Sequence, residues 1–374
     1  MSMSAKVCII TTVHPPFDTR IFRKEAKTLV RAGYEVVLIA QHERNELVDG
    51  VKIIALPRPR NRFVRIFGLT WRAFRLALYQ RADVYHFHDP ELLPIGVLLK
   101  LFTGAKVIYD VHEDVPQQIL TKYWIPAPLR CPVSGVFNAV ENLLARAVDA
   151  VVVATEGIAE KFARFKPVVV HNYPNLEMLP NPSTRRKEGE EKVLVYVGGI
   201  SKLRGAIEIV RALEYLNPTW NVRLDLIGKF EPPELEQELM LLPGYRRVRF
   251  LGWMQPEDVY AHLAKADIGL VCLHPEPRFT VAWPVKFFEY MAAGLPVVAS
   301  NFPLWKEIVE GNRCGITVDP LDPKAIAQAI EYLLTHPEEA RQMGENGRRA
   351  VVEKYNWGQE KEKLLNLYEE LLRR

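Results

Sequence analysis

A basic and an acidic side chain stand three residues apart in the segment Trp283 to Ser300, written WPVKFFEYMAAGLPVVAS. Pro284 suits the entry to a helix and Gly294 suits its end, and the apolar run after that glycine is typical of a buried strand. Lys286 and Glu289 then share one face of the helix. A carboxylate there can accept two ribose hydroxyls, and an ammonium beside it can meet a pyrophosphate. The alternative is an exposed salt bridge.

A glycine-rich turn, GGISKLRG, runs from Gly198 to Gly205 directly after the apolar run Val193 to Val197. Glycines between a strand and a helix let backbone N–H groups approach a phosphate, and the helix N-terminus favours an anion. Arg204 would add a bidentate charge. The turn is neither G-x-x-x-x-G-K-[ST] nor G-x-G-x-x-G, which argues against a P-loop enzyme and a simple dinucleotide-binding site. A plain tight turn is the alternative.

Histidines follow two predicted strands in the first half of the chain. His86 and His88 alternate before Asp89, so they share a face and could ligate a metal, but a third ligand is not evident and we predict no metal site. We expect His88 to contact an acceptor or to support a neighbour that does. His112 also ends a strand, and its HEDVP context lacks the second histidine of H-E-x-x-H, which excludes a zinc protease of that type. A histidine bonded to backbone is the alternative for His112.

Asp18 and Arg20 lie after the first predicted strand, in HPPFDTR. They can be the N-cap and a first-turn residue of the helix that follows. Their position near the end of a strand also makes them candidates for contact with a phosphate or an acceptor.

Short β-branched runs alternate with amphipathic stretches throughout, which predicts parallel strands joined by crossover helices. In the first half we predict strands near Val7–Val13, Glu35–Ala40, Val84–Phe87, Lys106–Tyr109, Ala150–Val153 and Val168–Val170. In the second half we predict them near Val193–Val197, Arg223–Ile227, Arg247–Leu251, Ile268–Val271, Pro296–Ala299 and Gly315–Val318. Helices are indicated at Thr19–Ala32, which Gly33 closes, and at Gly205–Leu216.

The chain of 374 residues exceeds the usual domain of roughly 100 to 200 residues, which favours two domains. The best boundary is Tyr173 to Lys192, with three prolines and a charged run without apolar periodicity. We predict α/β domains at residues 1–175 and 176–355 and a final helix at 356–374. Open α/β domains bind ligands at the carboxyl ends of their strands, so two that face each other would form a cleft.

The composition is that of a folded protein, with 48% hydrophobic and 25% charged residues. The start of the chain lacks the pattern of a signal peptide, and no apolar run is long enough to span a membrane, so we expect a cytoplasmic protein. Four scattered cysteines without a C-x-x-C pair argue against a zinc site and a disulfide scaffold.

The stretch from residue 50 to residue 82 contains no Asp or Glu, and Pro57 to Arg81 carries seven Arg. Aromatic and aliphatic residues recur there at helical spacing, with arginines towards the other side: Phe63, Phe67, Trp71, Phe74 and Leu78 against Arg62, Arg65, Arg72 and Arg75. One hypothesis is that Arg58 to Arg81 lies on an anionic lipid surface, with Lys122 to Pro126 as a second apolar loop beside it. The alternative is a crossover helix whose aromatics pack on its own sheet. No motif that reads nucleic acid accompanies the charge.

Four segments together resemble the retaining GT-B glycosyltransferases of family 4: Lys286 to Ser300, Gly198 to Gly205, Asp110-Val111-His112-Glu113, and His14 to Arg20. The resemblance covers nearly the whole chain. It implies an α/β fold of two Rossmann-like domains whose parallel sheets face an interdomain cleft. It also implies that the N-terminal domain binds the acceptor, that the C-terminal domain binds a nucleotide-sugar donor, and that the final helix crosses back to the N-terminal domain.

The resemblance also implies roles for single residues. Glu289 would hold the ribose, Arg204 would meet the donor diphosphate, and His112 would touch the transferred sugar. Trp253 and Met254, which follow Gly252, would lie beside the base. We therefore expect His112, Arg204 and Lys286 to take part in catalysis, and Gly198 and Gly199 to border the donor.

The chain departs from the family pattern at two positions. Many members have a second Glu eight residues before the ribose-binding one, where this chain has Val281, and many have Arg where this chain has Gly199. We predict that Lys286, or else Lys202, supplies the missing positive charge, because two phosphates normally need more than one cation.

The predicted function is transfer of a hexose-type sugar from a nucleoside diphosphate-sugar to an acceptor hydroxyl with retention of configuration, without a separate cofactor. A polysaccharide or lipid-linked acceptor is expected, at the inner face of the plasma membrane if the basic segment binds lipid. A nucleotide-sugar epimerase of the same architecture and a non-catalytic protein that binds sugar nucleotides are the alternatives.

Overall fold

The computed structural model of the protein describes residues 4–122, 125–178 and 191–373. The chain forms two compact units. The first unit comprises Met1–Asn172 and Trp357–Arg374, and the second comprises Tyr173–Asn356.

The first unit is built on a sheet of eight described strands in the order β3-β4-β2-β1-β5-β6-β7-β8. The central strands are buried between helices on both faces, and they are accordingly nearly continuous apolar runs. Their bounds are β1 Lys6–Ile10, β2 Glu35–Gln41, β3 Glu46–Val48, β4 Val51–Leu56, β5 Val84–Phe87, β6 Lys106–Val111, β7 Ala150–Val153 and β8 Val168–Val169.

The hairpin of β3 and β4 is absent from the sequence-based prediction, and β3 is antiparallel in an otherwise parallel sheet. Asp49 and Gly50 form its two-residue loop, with φ of 50° and 81°. Positive φ at both positions is the geometry of a tight hairpin turn that matches the twist of the strands, and Asp-Gly is a preferred pair for it.

The helices of the first unit include two π-helical segments, at Ile21–Ala26 and Val64–Leu69. The predicted helix Thr19–Ala32 therefore starts two residues late, as a π-helical turn. Helix α5 is absent from the prediction. The α-helices are α1 Lys27–Arg31, α2 Thr70–Gln80, α3 Leu93–Thr103, α4 Val115–Thr121, α5 Ala127–Leu144 and α6 Glu156–Lys161, and 3₁₀ turns lie at Pro90–Leu92 and Ala163–Phe165.

The second unit has six described strands, all parallel, in the order β11-β10-β9-β12-β13-β14. They are β9 Lys192–Val197, β10 Val222–Ile227, β11 Val248–Gly252, β12 Ile268–Val271, β13 Val297–Ser300 and β14 Gly315–Val318. The α-helices are α7 Ala206–Tyr215, α8 Leu235–Met240, α9 Pro256–Leu263, α10 Pro277–Thr280, α11 Val285–Ala292, α12 Pro303–Val309, α13 Pro323–Thr335 and α14 Pro337–Glu353. Shorter 3₁₀ turns lie at Leu176–Met178, Lys202–Arg204 and Pro243–Arg247.

The final helix, α15 Trp357–Arg373, packs on the first unit. Its apolar face is buried there through Leu364, Tyr368 and Leu371, while Leu372 stays 36% exposed. Trp357 Nε1 donates a hydrogen bond to Thr28 Oγ1 at 2.9 Å. The helix therefore belongs to the core of the first unit although it lies at the other end of the chain.

The predicted strands at Val84–Phe87, Ala150–Val153, Ile268–Val271 and Gly315–Val318 have the observed bounds. Residues 179–190 of the predicted boundary, and Tyr123 and Trp124 of the predicted apolar loop, lie outside the described residues. Ile125 of that loop is buried. Within the part of the chain that the structure describes, no helix combines the length and apolar character needed to cross a bilayer.

The aromatic stripe of the basic segment is only partly packed on the protein. Phe74 is buried, but Phe63, Phe67 and Trp71 are exposed by 76%, 70% and 54%. The alternative in which all the aromatics pack on the sheet is therefore wrong for three of them. A π-helical turn at Val64–Leu69 precedes α2, which carries both Trp71 and Phe74.

Candidate active site

Polar side chains fill the carboxyl ends of three neighbouring strands of the first unit, β1, β5 and β6. Arg20 is at the centre and is only 3% exposed. Its Nη2 lies 3.1 and 2.9 Å from the two carboxylate oxygens of Asp110, and its Nη1 donates to the carbonyl of Val170 at 2.7 Å. Its Nε lies 2.8 Å from Glu25 Oε1. The guanidinium thus bridges a strand and a helix of this unit.

Three histidines surround Asp110. His86 Nε2 lies 3.5 Å from Asp110 Oδ2, and His112 Nε2 lies 3.2 Å from Asp110 Oδ1. His88 Nδ1 and His112 Nε2 are 2.9 Å apart, so one of these nitrogens donates and the other accepts. The side chain of His112 is 15% exposed, whereas those of His86 and His88 are fully enclosed. His112 is therefore the member of this group that a ligand can reach.

The charges of this group are matched within the protein. Burial alone would raise the pKa of Asp110, but the charges of Arg20 and His112 hold it well below its usual range. Burial raises the pKa of the Glu25 carboxyl, and the nearby Asp110 raises it further. Burial and the neighbouring histidines lower the pKa of His88 well below its ordinary value, so His88 is neutral at neutral pH. The dominant ion pair is that of Arg20 with Asp110.

Four groups of this cluster have the chemistry of metal ligands. Glu25, His86, His88 and Asp110 each offer one ligand atom, and these atoms lie within 4.8 Å of one another. No third ligand was evident from the sequence because Glu25 and Asp110 belong to elements distant in the chain from His86 and His88. Arg20 already places a positive charge 2.9 Å from Asp110 Oδ2, which opposes a cation at the same carboxylate. The arrangement is better described as an ion-pair network that holds His112.

Asp18 and His14 lie beside this network. Asp18 Oδ1 accepts from the backbone amides of Arg20 and Ile21 at 2.8 and 3.0 Å, as expected for a residue that caps the first turn. Burial opposes ionisation, but His14 and these amides lower the pKa of Asp18 to about 2. Arg20 contacts protein groups, so its predicted role towards an acceptor would act through Asp110 and His112.

A cavity of about 660 Å³ adjoins the histidines of the first unit. His14, His88, Asp89 and His112 lie along its wall. His88, a predicted acceptor contact, and His112, a predicted contact of the transferred sugar, thus both line this cavity.

The glycine-rich turn of the second unit follows β9. Gly198 and Gly205 have φ of 117° and 75°, a backbone conformation that side chains disfavour. A Cβ on Gly205 would also collide with the carbonyl of Cys272. Helix α7 begins directly after the turn, so its free N–H groups and dipole favour an anion there.

Gly199 leaves room for a guanidinium. A Cβ on Gly199 would collide with Arg204 Nη1. The Arg204 guanidinium therefore occupies the space that a side chain at position 199 would need. Lys202 points elsewhere, because its Nζ donates to Glu238 Oε1 at 2.8 Å on the surface. Lys202 is therefore engaged as a surface ion pair and is the weaker candidate for a phosphate contact.

Lys286 is the most unusual side chain of the second unit. Its Nζ lies 3.5 Å from the ring centroid of Tyr196 and is enclosed, and it has no hydrogen-bond partner among the described residues. Burial lowers the pKa of Lys286 well below its ordinary value, and the charge of Arg204 lowers it further. The alternative of an exposed salt bridge with Glu289 is therefore wrong.

The remaining predicted donor residues lie on the same unit. Glu289 Oε1 accepts from Tyr260 Oη at 3.0 Å. Trp253 is 59% exposed, and Met254 packs against the core that contains Tyr260. Val281, at the position of the second family Glu, is 58% exposed and leaves Glu289 without that carboxylate partner.

Two family patterns match the chain. Residues 19–181 match the pattern described as "Glycosyl transferase 4-like domain", and residues 191–336 match "Glycosyl transferases group 1". The chain belongs to the group 1 glycosyltransferases. The enzyme is 23% identical over 311 residues to the MMP alpha-(1->4)-mannosyltransferase of Mycolicibacterium hassiacum, covering 81% of this chain and 74% of that protein. It is 24% identical to the glycogen synthase of Mycobacterium tuberculosis, covering 88% and 85% of the two chains.

Solved structures show that the fold is GT-B. The sucrose-phosphate synthase of Thermosynechococcus elongatus superposes with a TM-score of 0.80 at 20% identity, over 99% of both chains. Anabaena HepE in complex with UDP-glucose superposes with a TM-score of 0.72 at 15% identity, over 98% of this chain and 99% of that one. The predicted fold class, family and glycosyltransferase activity are confirmed.

Sequence reasoning missed several residues of these groups. Asp110 lies near the end of a predicted strand, two residues before His112, but the sequence alone gives it no partner. Glu25 carries no local signal, because nothing in the sequence shows that a helix places it beside His88. Tyr196 and Tyr260 are aromatic residues in apolar elements, and their contacts with Lys286 and Glu289 depend on the fold.

Proposed function

We propose that the enzyme transfers a hexose-type sugar from a nucleoside diphosphate-sugar to an acceptor hydroxyl, with retention of anomeric configuration. The observation that carries the proposal is the pair of cations at the glycine-rich turn. Arg204 lies over Gly199, and the enclosed ammonium of Lys286 has no hydrogen-bond partner among the described residues. A diphosphate would supply the negative charge that these groups lack.

The position of the pair agrees with donor binding. Both cations lie near the carboxyl end of β9 and the start of α7, where α/β sheets bind nucleotides. Glu289 is on the same unit and would accept hydrogen bonds from the ribose hydroxyls, with Trp253 and Met254 beside the base. The fold relative from Anabaena, which binds UDP-glucose, supports a donor of this class.

The proposed chemistry relies on charge stabilisation. As the bond between the sugar and the diphosphate breaks, negative charge grows on the leaving oxygen, and Arg204 and Lys286 would stabilise it. In a front-face reaction that oxygen takes the proton of the acceptor hydroxyl, so no side-chain nucleophile is needed. The donor is a substrate, and the proposed reaction uses no separate cofactor.

His112 is the proposed contact for the transferred sugar. Its Nε2 faces Asp110 and His88, so the ring is held in a fixed orientation by buried partners. A ring fixed in this way can present its other nitrogen to a sugar hydroxyl without losing conformational freedom on binding. The acceptor is proposed to be a glycan or a lipid-linked molecule, with Arg58 to Arg81 against an anionic membrane surface.

The experiment is a screen of UDP-, GDP- and ADP-sugars by thermal shift, followed by turnover with the donor that binds. We expect nucleoside diphosphate release to rise strongly when acceptor is present, and the anomeric proton coupling in the product to match that of the donor. A product of inverted configuration would overturn the retaining mechanism. Binding of a donor without transfer to any acceptor in a broad screen would overturn the proposed activity.

A further inference from the structure

The cavity beside His112 is amphipathic. Its apolar wall includes Val111, Ile119, Ile125, Phe137 and Leu144, and its volume of about 660 Å³ is that of a ligand pocket. Sugar-binding sites need polar groups to replace the hydration of hydroxyls, and these five side chains offer none, although about half of the residues around the cavity are polar or charged. The cavity is therefore suited to a hydrocarbon chain at a point from which His112 can be reached.

Three cations line the same cavity: Arg62, Arg65 and Lys122. Burial lowers the pKa of Lys122, the charges of Arg62 and Arg65 lower it further, and the charge of Glu113 raises it. Arg65 Nη2 also lies 2.9 Å from Glu91 Oε2. An anionic group bound here would lie close to these cationic side chains.

The acids along the cavity are held by protein donors. Glu141 accepts from Tyr109 Oη at 2.8 Å and from Lys161 Nζ at 2.6 Å. Asp89 accepts from the Thr12 amide at 2.6 Å, and Glu113 accepts from the side-chain amide of Gln118. Glu91 accepts from Thr12 Oγ1 at 2.6 Å in addition to its contact with Arg65. Glu141 is therefore paired with Lys161, and Glu91 is paired with Arg65.

Helix α5 extends the apolar wall onto the surface. Between residues 131 and 143 its exposed side chains carry no charge, and they are Cys131, Pro132, Val133, Val136, Ala139, Val140 and Leu143. The single charged residue of that stretch, Glu141, is buried. Val133 and Val140 belong both to this outer face and to the cavity wall, so the cavity and the exposed face are continuous.

The other side of the cavity mouth is also apolar and exposed. Ile66 lines the cavity and is 38% exposed, and it belongs to the π-helical turn beside the exposed Phe63 and Phe67. The exposed Arg60 and Arg72 flank these aromatics. Two apolar helical faces, one of them bordered by arginines, thus border one opening, an arrangement that fits a surface of anionic lipid.

We propose that the acceptor is a membrane lipid with an anionic headgroup, whose chain enters this cavity while its headgroup meets Arg62, Arg65 and Lys122. The outer faces of α5 and of Phe63 to Trp71 would rest on the bilayer and let the lipid pass into the cavity without crossing water. The acceptor hydroxyl would then lie near His112. This proposal rests on the proposed glycosyl transfer and specifies its acceptor.

The test uses alkyl phosphates below their micellar concentration as probes. Each methylene that enters the cavity should tighten binding by about fourfold, so we expect dodecyl phosphate to bind far more tightly than hexyl phosphate, measured by calorimetry. Dodecyltrimethylammonium, which has the same chain and opposite charge, should bind at least tenfold more weakly than dodecyl phosphate. Arg62→Gln with Lys122→Gln should remove most of that preference. Affinity that ignores chain length or headgroup charge would overturn the proposal.

Membrane docking is tested by flotation with vesicles of phosphatidylglycerol or of phosphatidylcholine alone. Wild type should float with the anionic vesicles, and Val136→Glu should lose most of this binding. Val352→Glu, the same change at an exposed site on the second unit, should keep it. If Val136→Glu instead changes the mass in sedimentation and leaves flotation intact, the face is covered by a second copy and the proposal is wrong.

The two proposals can fail separately. Nucleoside diphosphate binding by Val136→Glu should equal that of wild type, because the substitution lies on the outer face of α5. If wild type binds alkyl phosphates by chain length but no nucleotide, the donor assignment fails and the lipid site stands. If nucleotide binds and chain length has no effect, only the lipid site is overturned.

Discussion

The carboxyl ends of the two sheets carry opposite electrostatic arrangements. In the first unit, Arg20 forms an ion pair within the protein, with its Nη2 2.9 Å from Asp110 Oδ2. In the second unit, Lys286 lies near a second cation, Arg204, and the Lys286 ammonium is enclosed against a ring without a hydrogen-bond partner among the described residues. The cation of the first arrangement is paired within the protein, whereas the cations of the second would gain a counter-charge when an anion binds.

This difference indicates that the charged side chains of the first unit contribute to folding stability, whereas those of the second unit contribute to ligand binding. Side chains that pair within the protein contribute to folding and hold a neighbour such as His112 in place. A cation that is enclosed without a counter-ion costs folding free energy, and the same feature makes the site bind a diphosphate strongly. Substitutions should therefore act mainly on stability in the first unit and mainly on nucleotide affinity in the second.

The largest effect is expected from Arg20→Met. Loss of the guanidinium leaves Asp110 as a buried charge without its partner, which should cost about 3 to 5 kcal/mol of unfolding free energy. Calorimetric unfolding would measure it, with Arg72→Met, an exposed arginine of the same unit, as the control. A loss no larger than that of the control would show that the network does not hold the first unit together.

Arg204→Gln should weaken nucleoside diphosphate binding by about 1.5 to 3 kcal/mol, because a charged hydrogen bond to phosphate is lost. The unfolding temperature should change little, since Arg204 is partly exposed. Lys202→Gln is the matched control, because Lys202 pairs with Glu238 on the surface. If isothermal titration shows that the two variants lose the same binding free energy, the phosphate contact does not belong to Arg204.

Lys286→Met should weaken nucleotide binding by about tenfold, or about 1.4 kcal/mol, and leave folding stability equal or higher. The pKa of Lys286 is lowered in the folded state, so between that lowered pKa and about 10.4 the unfolded chain binds a proton that the folded chain does not. Stability of wild type should therefore rise with pH in this window.

The same linkage predicts how the variant compares with wild type. The gain in stability from Lys286→Met should be greatest at neutral pH and should shrink as the pH approaches 10, measured by denaturant unfolding at several pH values. A gain that is independent of pH would mean that the pKa of Lys286 is not lowered in the folded protein.

The smallest effect is expected from Glu289→Gln. The loss of a charged acceptor for ribose hydroxyls should cost about 1 kcal/mol of binding free energy for the nucleoside diphosphate. The 2′-deoxy nucleotide serves as the second arm of a double-mutant cycle. Glu289→Gln should reduce its binding free energy by less than that of the nucleotide with the 2′-hydroxyl. If the effects of the substitution and of the deoxy nucleotide are additive, Glu289 does not contact the ribose hydroxyl.

The sequence predicted most of the second-unit site because its residues lie close together in the chain. Glu289 and Lys286 are on one helix, and Gly198 to Gly205 form one turn, so local rules place them. What local rules could not give is the direction of Lys286, which points towards Tyr196 on another element and not towards Glu289. Arg204 in the space beside Gly199 also needed the folded turn.

The first unit was harder to predict because its network joins distant segments. Glu25, His88 and Asp110 come from three different elements, and only the strand order brings them together. The hairpin at Asp49-Gly50 and the nearly uncharged stretch of α5 were visible in the sequence but were not recognised. For the basic segment, a uniform helical period did not indicate the π-helical turn at Val64–Leu69, nor that Phe67 is exposed while Phe74 is buried.

The central claim is that Arg204 and Lys286 hold the diphosphate of the donor. The most direct measurement compares, by calorimetry, the nucleoside diphosphate that binds best with the corresponding nucleoside, in wild type and in the double variant Arg204→Gln with Lys286→Met. We predict that wild type prefers the diphosphate by about 100-fold or more, or about 2.7 kcal/mol, and that the double variant binds the two about equally. A double variant that keeps the wild-type preference would contradict the claim.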